Sequence, residues 1–161
     1  MRPRTAPDNG RMQGLHLTAD LHGCAVERLA MTELDALRAL CLRAVDAAGL
    51  SAVGELFHRF EALPAHADTP VGITGVVLLA ESHLAVHTWP EIAAVTLEVY
   101  VCNIDADNSH RAHAALDALI GAFAPERVER HALQRGELMK QAGRAPSRSV
   151  GNEEALSGPS A

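Results

Sequence analysis

Residues 72–102 read GITGVVLLAESHLAVHTWPEIAAVTLEVYVC. This stretch predicts three strands in close succession: a nearly unbroken apolar run at 72–80, an alternating run at 83–88, and a run at 94–102 with one apolar face. The connections between these runs are too short for helical crossovers, so neighbouring strands are expected to pair antiparallel. An antiparallel sheet is therefore the predicted centre of the fold.

The flanking sequence adds further strands, at 14–20, 52–60 and 127–134, and two amphipathic helices. Apolar residues recur at spacings of three and four from Leu34 to Ala48, with Thr32 as the expected N-cap of this first helix. The second helix is expected to be capped by Ser109. This order of elements predicts an α+β two-layer sandwich, in which two main helices cover one face of an antiparallel β-sheet.

The chain of 161 residues has the length of one ordinary domain, which we place at 13–140. Residues 1–12 and 141–161 are polar, lack a periodic apolar pattern, and are predicted to be disordered tails. The formal charge of −6 gives no support for a nucleic acid or an anionic membrane as partner. No apolar run reaches the roughly 18 residues needed to span a bilayer.

The numbers and positions of cysteines and lysines restrict which kinds of site and cofactor the chain can have. The three cysteines are widely spaced, which favours neither a disulfide framework nor a zinc site and fits a reducing cytoplasm. The only lysine is Lys140, beside the C-terminal tail. A pyridoxal-phosphate enzyme needs a lysine in its core, so any amine chemistry must take its carbonyl group from elsewhere.

The densest polar cluster in apolar surroundings is ESHLAVHTWPE, at 81–91. His83 and His87 are four residues apart, but their surroundings are strand-like and the glutamate of a zinc-protease motif is missing, so no metal ligands are predicted. A hydrolase nucleophile at Ser82 is disfavoured because the flanking glycines are absent. From the residues alone, capping of strand ends by Ser82 and the histidines stays open.

The pattern Glu-Ser-His-x-x-x-His-Thr-Trp-Pro-Glu at 81–91 resembles the signature of the prokaryotic S-adenosylmethionine decarboxylases. These are self-cleaving, pyruvoyl-dependent enzymes of polyamine biosynthesis. The similarity covers residues 13–134 and includes the opening strand at 14–24 and the run into the cleavage site at 72–82. Cys102, twenty residues after the serine of the motif, stands where the family keeps its catalytic cysteine.

The resemblance implies a role for each of five residues. The bond between Glu81 and Ser82 is expected to break without another enzyme, and Ser82 becomes a covalent pyruvoyl group, the cofactor that forms a Schiff base with the substrate. His87 is expected to remove the α-proton of Ser82, and Thr74 to supply a processing hydroxyl. Cys102 is the expected proton donor in catalysis. The family also implies a homodimer of processed chains, with its sites at the subunit interface.

Substrate recognition is where the chain departs from the family pattern. The family substrate is S-adenosylmethionine, whose decarboxylated form donates the aminopropyl group of spermidine, and Trp89 and Glu91 are expected to help bind it. Alignment on Pro70 and Gly72 places Asp68 at a position that is usually aromatic. A carboxylate suits a terminal ammonium or guanidinium better than a sulfonium, so decarboxylation of L-ornithine or L-arginine is an alternative. A non-enzymatic regulatory homologue is a second alternative.

Overall fold

The computed structural model describes residues 13–62, 69–103 and 106–136. The two predicted tails and Asp68 lie outside these residues. The described residues form six strands and two α-helices: β1 (Gly14–His22), α1 (Leu34–Ala47), β2 (Ala52–Arg59), β3 (Ile73–Leu79), β4 (Ser82–Trp89), β5 (Ala94–Cys102), α2 (Ser109–Phe123) and β6 (Arg127–Arg135).

The six strands form one sheet in the order β2-β3-β4-β5-β1-β6, and every neighbouring pair is antiparallel. The first strand therefore lies between the last two strands of the chain. Helices α1 and α2 contact each other and the same sheet. The predicted α+β two-layer sandwich, an antiparallel sheet with two covering helices, is confirmed.

Strand β5 shows how the sequence separates the two faces of the sheet. Val95, Leu97 and Val99 are almost fully buried, whereas the intervening Glu98 and Tyr100 are only half-buried. This alternation places the apolar residues under the helices. The opposite face carries no helix among the described residues, and we call it the open face. It bears these residues of β3, β4 and β5: Thr74, Val76, Leu78, His83, Ala85, His87, Trp89, Thr96, Glu98, Tyr100 and Cys102.

Both predicted helix caps are wrong. Helix α1 begins at Leu34, with Glu33 as its N-cap residue and no side-chain cap. Thr32 instead ends the short turn Leu29–Met31, where its backbone N–H donates to the carbonyl of Leu29, and its own carbonyl accepts a hydrogen bond from Arg59 of β2. Ser109 is the first residue of α2, and its backbone N–H donates to the Asp107 carboxylate at 2.9 Å.

No helix in the described part of the chain combines the length and apolar character needed to cross a membrane.

Candidate active site

The predicted cleavage site lies in the turn between β3 and β4. Leu79 pairs with Ser82, so Ala80 and Glu81 form a two-residue connection. Glu81 is exposed and Ser82 is partly buried. The bond between Glu81 and Ser82 is thus accessible at one end of the sheet, while strand pairing holds the chain on both sides of it.

Ser82 and Cys102 are neighbours in the structure. The Oγ of Ser82 accepts a hydrogen bond from the backbone N–H of Cys102 at 3.4 Å. Cys102 is 6 % exposed, and its Sγ lies 3.2 Å from the hydroxyl oxygen of Tyr100. The antiparallel pairing of β4 with β5 therefore brings Ser82 to Cys102, 20 residues later in the sequence, while Tyr100 reaches the Cys102 thiol from two residues away on the same strand.

Three further side chains surround the Tyr100 ring. The rings of His83 and His16 lie 5.6 and 5.9 Å from it, and the guanidinium of Arg135 stands over it at 5.7 Å. The hydrogen bond with Cys102, assisted by burial, raises the pKa of Tyr100. The sequence analysis did not name Tyr100 as a site residue. Its position two residues before Cys102, on the same strand face, is the signal that could have identified it.

Thr74 and His87 form a second group on the open face. They are direct partners across β3 and β4, with Thr74 Oγ1 2.8 Å from Nδ1 of His87. His87 lies five residues beyond Ser82 on the same extended strand, a separation of about 16 Å at the usual rise per residue. A single chain therefore does not bring His87 to Ser82.

Trp89 and Glu91 line a cavity of about 430 Å³ at the same end of the sheet as His87. Phe60 stacks on Trp89, with ring centroids 5.8 Å apart and 26° between the planes. The backbone N–H of Phe60 donates to the carbonyl of Gly72 at 3.0 Å, which fixes Phe60 beside the start of β3. The sequence analysis missed Phe60, because alignment on Pro70 searched only the residues immediately before the cleavage strand.

The arrangement divides the predicted residues between the two ends of β4. One end offers a hydroxyl that can attack the preceding carbonyl, and the residue whose backbone N–H binds that hydroxyl, Cys102, carries a thiol that can give a proton. The other end offers an imidazole held by a hydroxyl and an aromatic cavity whose lining includes two carboxylates, Glu61 and Glu91.

Comparisons with known proteins agree with this chemistry. A family model described as S-adenosylmethionine decarboxylase matches residues 15–136. A relative from Aquifex aeolicus named S-adenosylmethionine decarboxylase proenzyme is 35% identical over 123 residues, 76% of this chain and 81% of that protein. A relative of the same name from Archaeoglobus fulgidus is 33% identical over 123 residues, 76% of this chain and 97% of that protein.

A solved structure gives the same result. The crystal structure of the adenosylmethionine decarboxylase from Aquifex aeolicus matches with a TM-score of 0.65 and 29% identity, covering 92% of this chain and 100% of that one. The resemblance seen in residues 81–91 is thereby confirmed. Because the family model spans most of the chain and the relatives align over most of their own length, this chain belongs to the S-adenosylmethionine decarboxylase family.

Proposed function

We propose that this chain cleaves itself between Glu81 and Ser82 and then decarboxylates S-adenosylmethionine. The observation that carries the proposal is the position of Ser82, at an accessible turn with its Oγ against the backbone of Cys102, in a family whose relatives are named proenzymes. The product, decarboxylated S-adenosylmethionine, would serve as the aminopropyl donor for spermidine.

Self-cleavage uses the hydroxyl of Ser82. Its attack on the carbonyl of Glu81 replaces the amide by an ester, and removal of the Ser82 α-proton then expels the Glu81 carboxylate. Hydrolysis of the dehydroalanine that remains releases ammonia and leaves a pyruvoyl group at the start of β4. Strand pairing on both sides of the turn holds the two new ends after the cut.

The residues around Ser82 fit a pyruvoyl group. Such a group, when present, accepts the substrate amine and takes up the electron pair that stays on the substrate when carbon dioxide leaves, the task that pyridoxal phosphate performs elsewhere. Cys102 contacts Ser82 through its backbone N–H, and its thiol is the proton donor that we assign for the substrate carbon. The chain needs no lysine for this chemistry.

The cavity beside Trp89 favours S-adenosylmethionine as the substrate. The stacked pair of Phe60 and Trp89 offers aromatic surface for an adenine or a sulfonium. Its volume of about 430 Å³ falls in the usual range for small-molecule sites. Phe60 thus provides the aromatic side chain whose apparent replacement by Asp68 suggested ornithine or arginine.

We infer that the working unit is a homodimer whose open faces meet. About 16 Å separates Ser82 from His87 along β4, so the two residues can cooperate only between chains. A twofold axis would set the Ser82 end of one sheet against the His87 end of the other. Leu78 of the open face is 50% exposed in the single chain, and Leu56 of β2, which pairs with Val76 on that face, is 70% exposed; such a dimer would cover both.

The chain's three cysteines are all free, which fits a cytoplasmic location for this enzyme.

The intact mass of the denatured protein tests self-cleavage. We expect two fragments, of 81 and 80 residues, the second carrying a ketone in place of its terminal amine. Ser82→Ala is the matched control and should give one uncut chain. An uncut wild-type chain that binds an active homologue would overturn the proposal in favour of a regulatory role.

Carbon dioxide release from S-adenosylmethionine, L-ornithine and L-arginine tests the substrate. We expect release from S-adenosylmethionine alone. Release from ornithine or arginine alone, by a properly cut chain, would overturn the substrate assignment while leaving the self-cleavage intact.

A further inference from the structure

We propose that Tyr100 is a positioning residue for Cys102: its hydroxyl orients the thiol and stabilises the thiolate that forms when the thiol gives up its proton. The inference rests on the proposed function, in which Cys102 is the proton donor. It is carried by the 3.2 Å contact between Sγ of Cys102 and the hydroxyl oxygen of Tyr100.

The contact follows from the alternation of β5. Tyr100 and Cys102 are two residues apart and point to the same face, so a long side chain at 100 can reach the thiol at 102. The tyrosine hydroxyl can both accept and donate. It therefore accepts from the S–H before proton transfer and, after rotation about its C–O bond, donates to the thiolate afterwards.

The proton and the electrons balance in this scheme. The S–H bond of Cys102 breaks, a C–H bond forms on the substrate carbon, and the electron pair stays on sulfur. A hydrogen bond from a neutral donor to an anion is stronger than one between neutral groups, so the Tyr100 hydroxyl favours the state that follows proton transfer. Solvent returns the proton to sulfur once the product has left.

The neighbouring strand holds the Tyr100 ring in place. Gly14 of β1 pairs with Cys102, and a Cβ added at Gly14 would lie 2.7 Å from the Tyr100 hydroxyl oxygen. The ring therefore occupies the space that the glycine leaves. Arg135 of β6 stands over the ring at 5.7 Å, a cation–π contact that limits its movement.

Alkylation of Cys102 by iodoacetamide at pH 8, in the uncut Ser82→Ala protein, tests the contact without decarboxylase activity. Only the thiolate reacts. Peptide mass spectrometry follows the labelling of Cys102 separately from that of Cys24, whose pKa burial raises, and of Cys41, whose pKa burial raises to about 12. We expect Tyr100→Phe to slow the labelling about tenfold, because the thiolate loses its donor.

If Tyr100 does not position the thiol, the labelling rate should change differently. Loss of its hydroxyl only opens space for the reagent, so an unchanged or faster labelling rate in Tyr100→Phe overturns the inference. Gly14→Ala is the second variant: it keeps the tyrosine but displaces the ring, and we expect it to slow labelling as well. Thr18→Val is the control. It removes a hydroxyl from β1, the strand that also carries Gly14, and should label at the parent rate.

Kinetics of the cut enzyme complete the test. We expect Tyr100→Phe to lower kcat for S-adenosylmethionine about tenfold, with KM and the extent of cleavage unchanged. If the parent enzyme decarboxylates but Tyr100→Phe matches it in kcat and in labelling, only the inference about Tyr100 fails. If the parent never cleaves or decarboxylates, the proposed function fails, and labelling still reports on the contact.

Discussion

The contact between Thr74 and His87 determines which imidazole nitrogen can act as a base. When Nδ1 carries the ring proton and donates it to Thr74 Oγ1, 2.8 Å away, Nε2 is free to accept a proton. We therefore expect Thr74→Val to slow self-cleavage about tenfold, the usual cost of one such hydrogen bond. Denatured mass spectra taken over time give the rate.

Thr74→Ser is the matched variant, since it keeps the hydroxyl and should cleave at a rate close to that of the parent. Equal rates for Thr74→Val and the parent would show that the threonine does not orient His87.

Substitutions at Phe60 test whether the stacked pair of Phe60 and Trp89 binds the substrate. Phe60→Ala removes one ring of the stacked pair, and we expect KM for S-adenosylmethionine to rise about tenfold with the extent of cleavage unchanged. Phe60→Tyr keeps the aromatic face and should bind as the parent does. A KM that does not change in Phe60→Ala would remove Phe60 from the substrate site.

At the scale of elements, Thr88 links β4 to β3 and to the turn before α1. It is the one fully buried polar side chain among the residues the structure describes. Its hydroxyl donates to the carbonyl of Met31 at 2.8 Å and accepts from the backbone N–H of Ile73 at 2.9 Å. Thr88 thus adds a hydrogen-bonded link between the strand that carries the site and the segment before α1.

We expect Thr88→Val to lower the free energy of unfolding by about 1–3 kcal/mol, because it leaves two buried backbone groups without a partner. Urea unfolding of the uncut Ser82→Ala protein gives the value, with Thr18→Val as the control for loss of a half-exposed hydroxyl. A change as small as that of the control would show that the backbone groups find other partners.

Local patterns predicted most of the elements, while contacts between distant segments account for what was missed. The strands at 72–80, 83–88 and 94–102 were predicted because alternation and short connections are visible in the sequence itself. The Thr32 cap was wrong because Thr32 ends the preceding turn, and its carbonyl is bound by Arg59, 27 residues away. Phe60 was missed for the same reason, since only the pairing of β2 with β3 brings it beside Gly72.

The proposed dimer can be tested at the scale of the whole molecule by mixing two defective chains. Ser82→Ala lacks the hydroxyl that attacks the Glu81 carbonyl, and His87→Ala lacks the base, so neither should cleave alone. In the mixed dimer, His87 of the first chain faces Ser82 of the second. We therefore expect co-expression to restore cleavage of the His87→Ala chain alone, as read from denatured masses. Mixed dimers that stay uncut would place His87 and Ser82 of one chain in the same site.

The order of the strands has a consequence for the life of the enzyme after the cut. The fragment ending at Glu81 supplies β1, β2 and β3, and β1 lies between β5 and β6 of the other fragment. Before the cut, refolding is a search within one chain. Afterwards the two fragments must first collide, so we expect the yield of refolded cut enzyme to fall with dilution more steeply than that of the uncut Ser82→Ala protein. Self-cleavage thus gives the molecule its reactive group. After denaturation, neither fragment can then refold without the other.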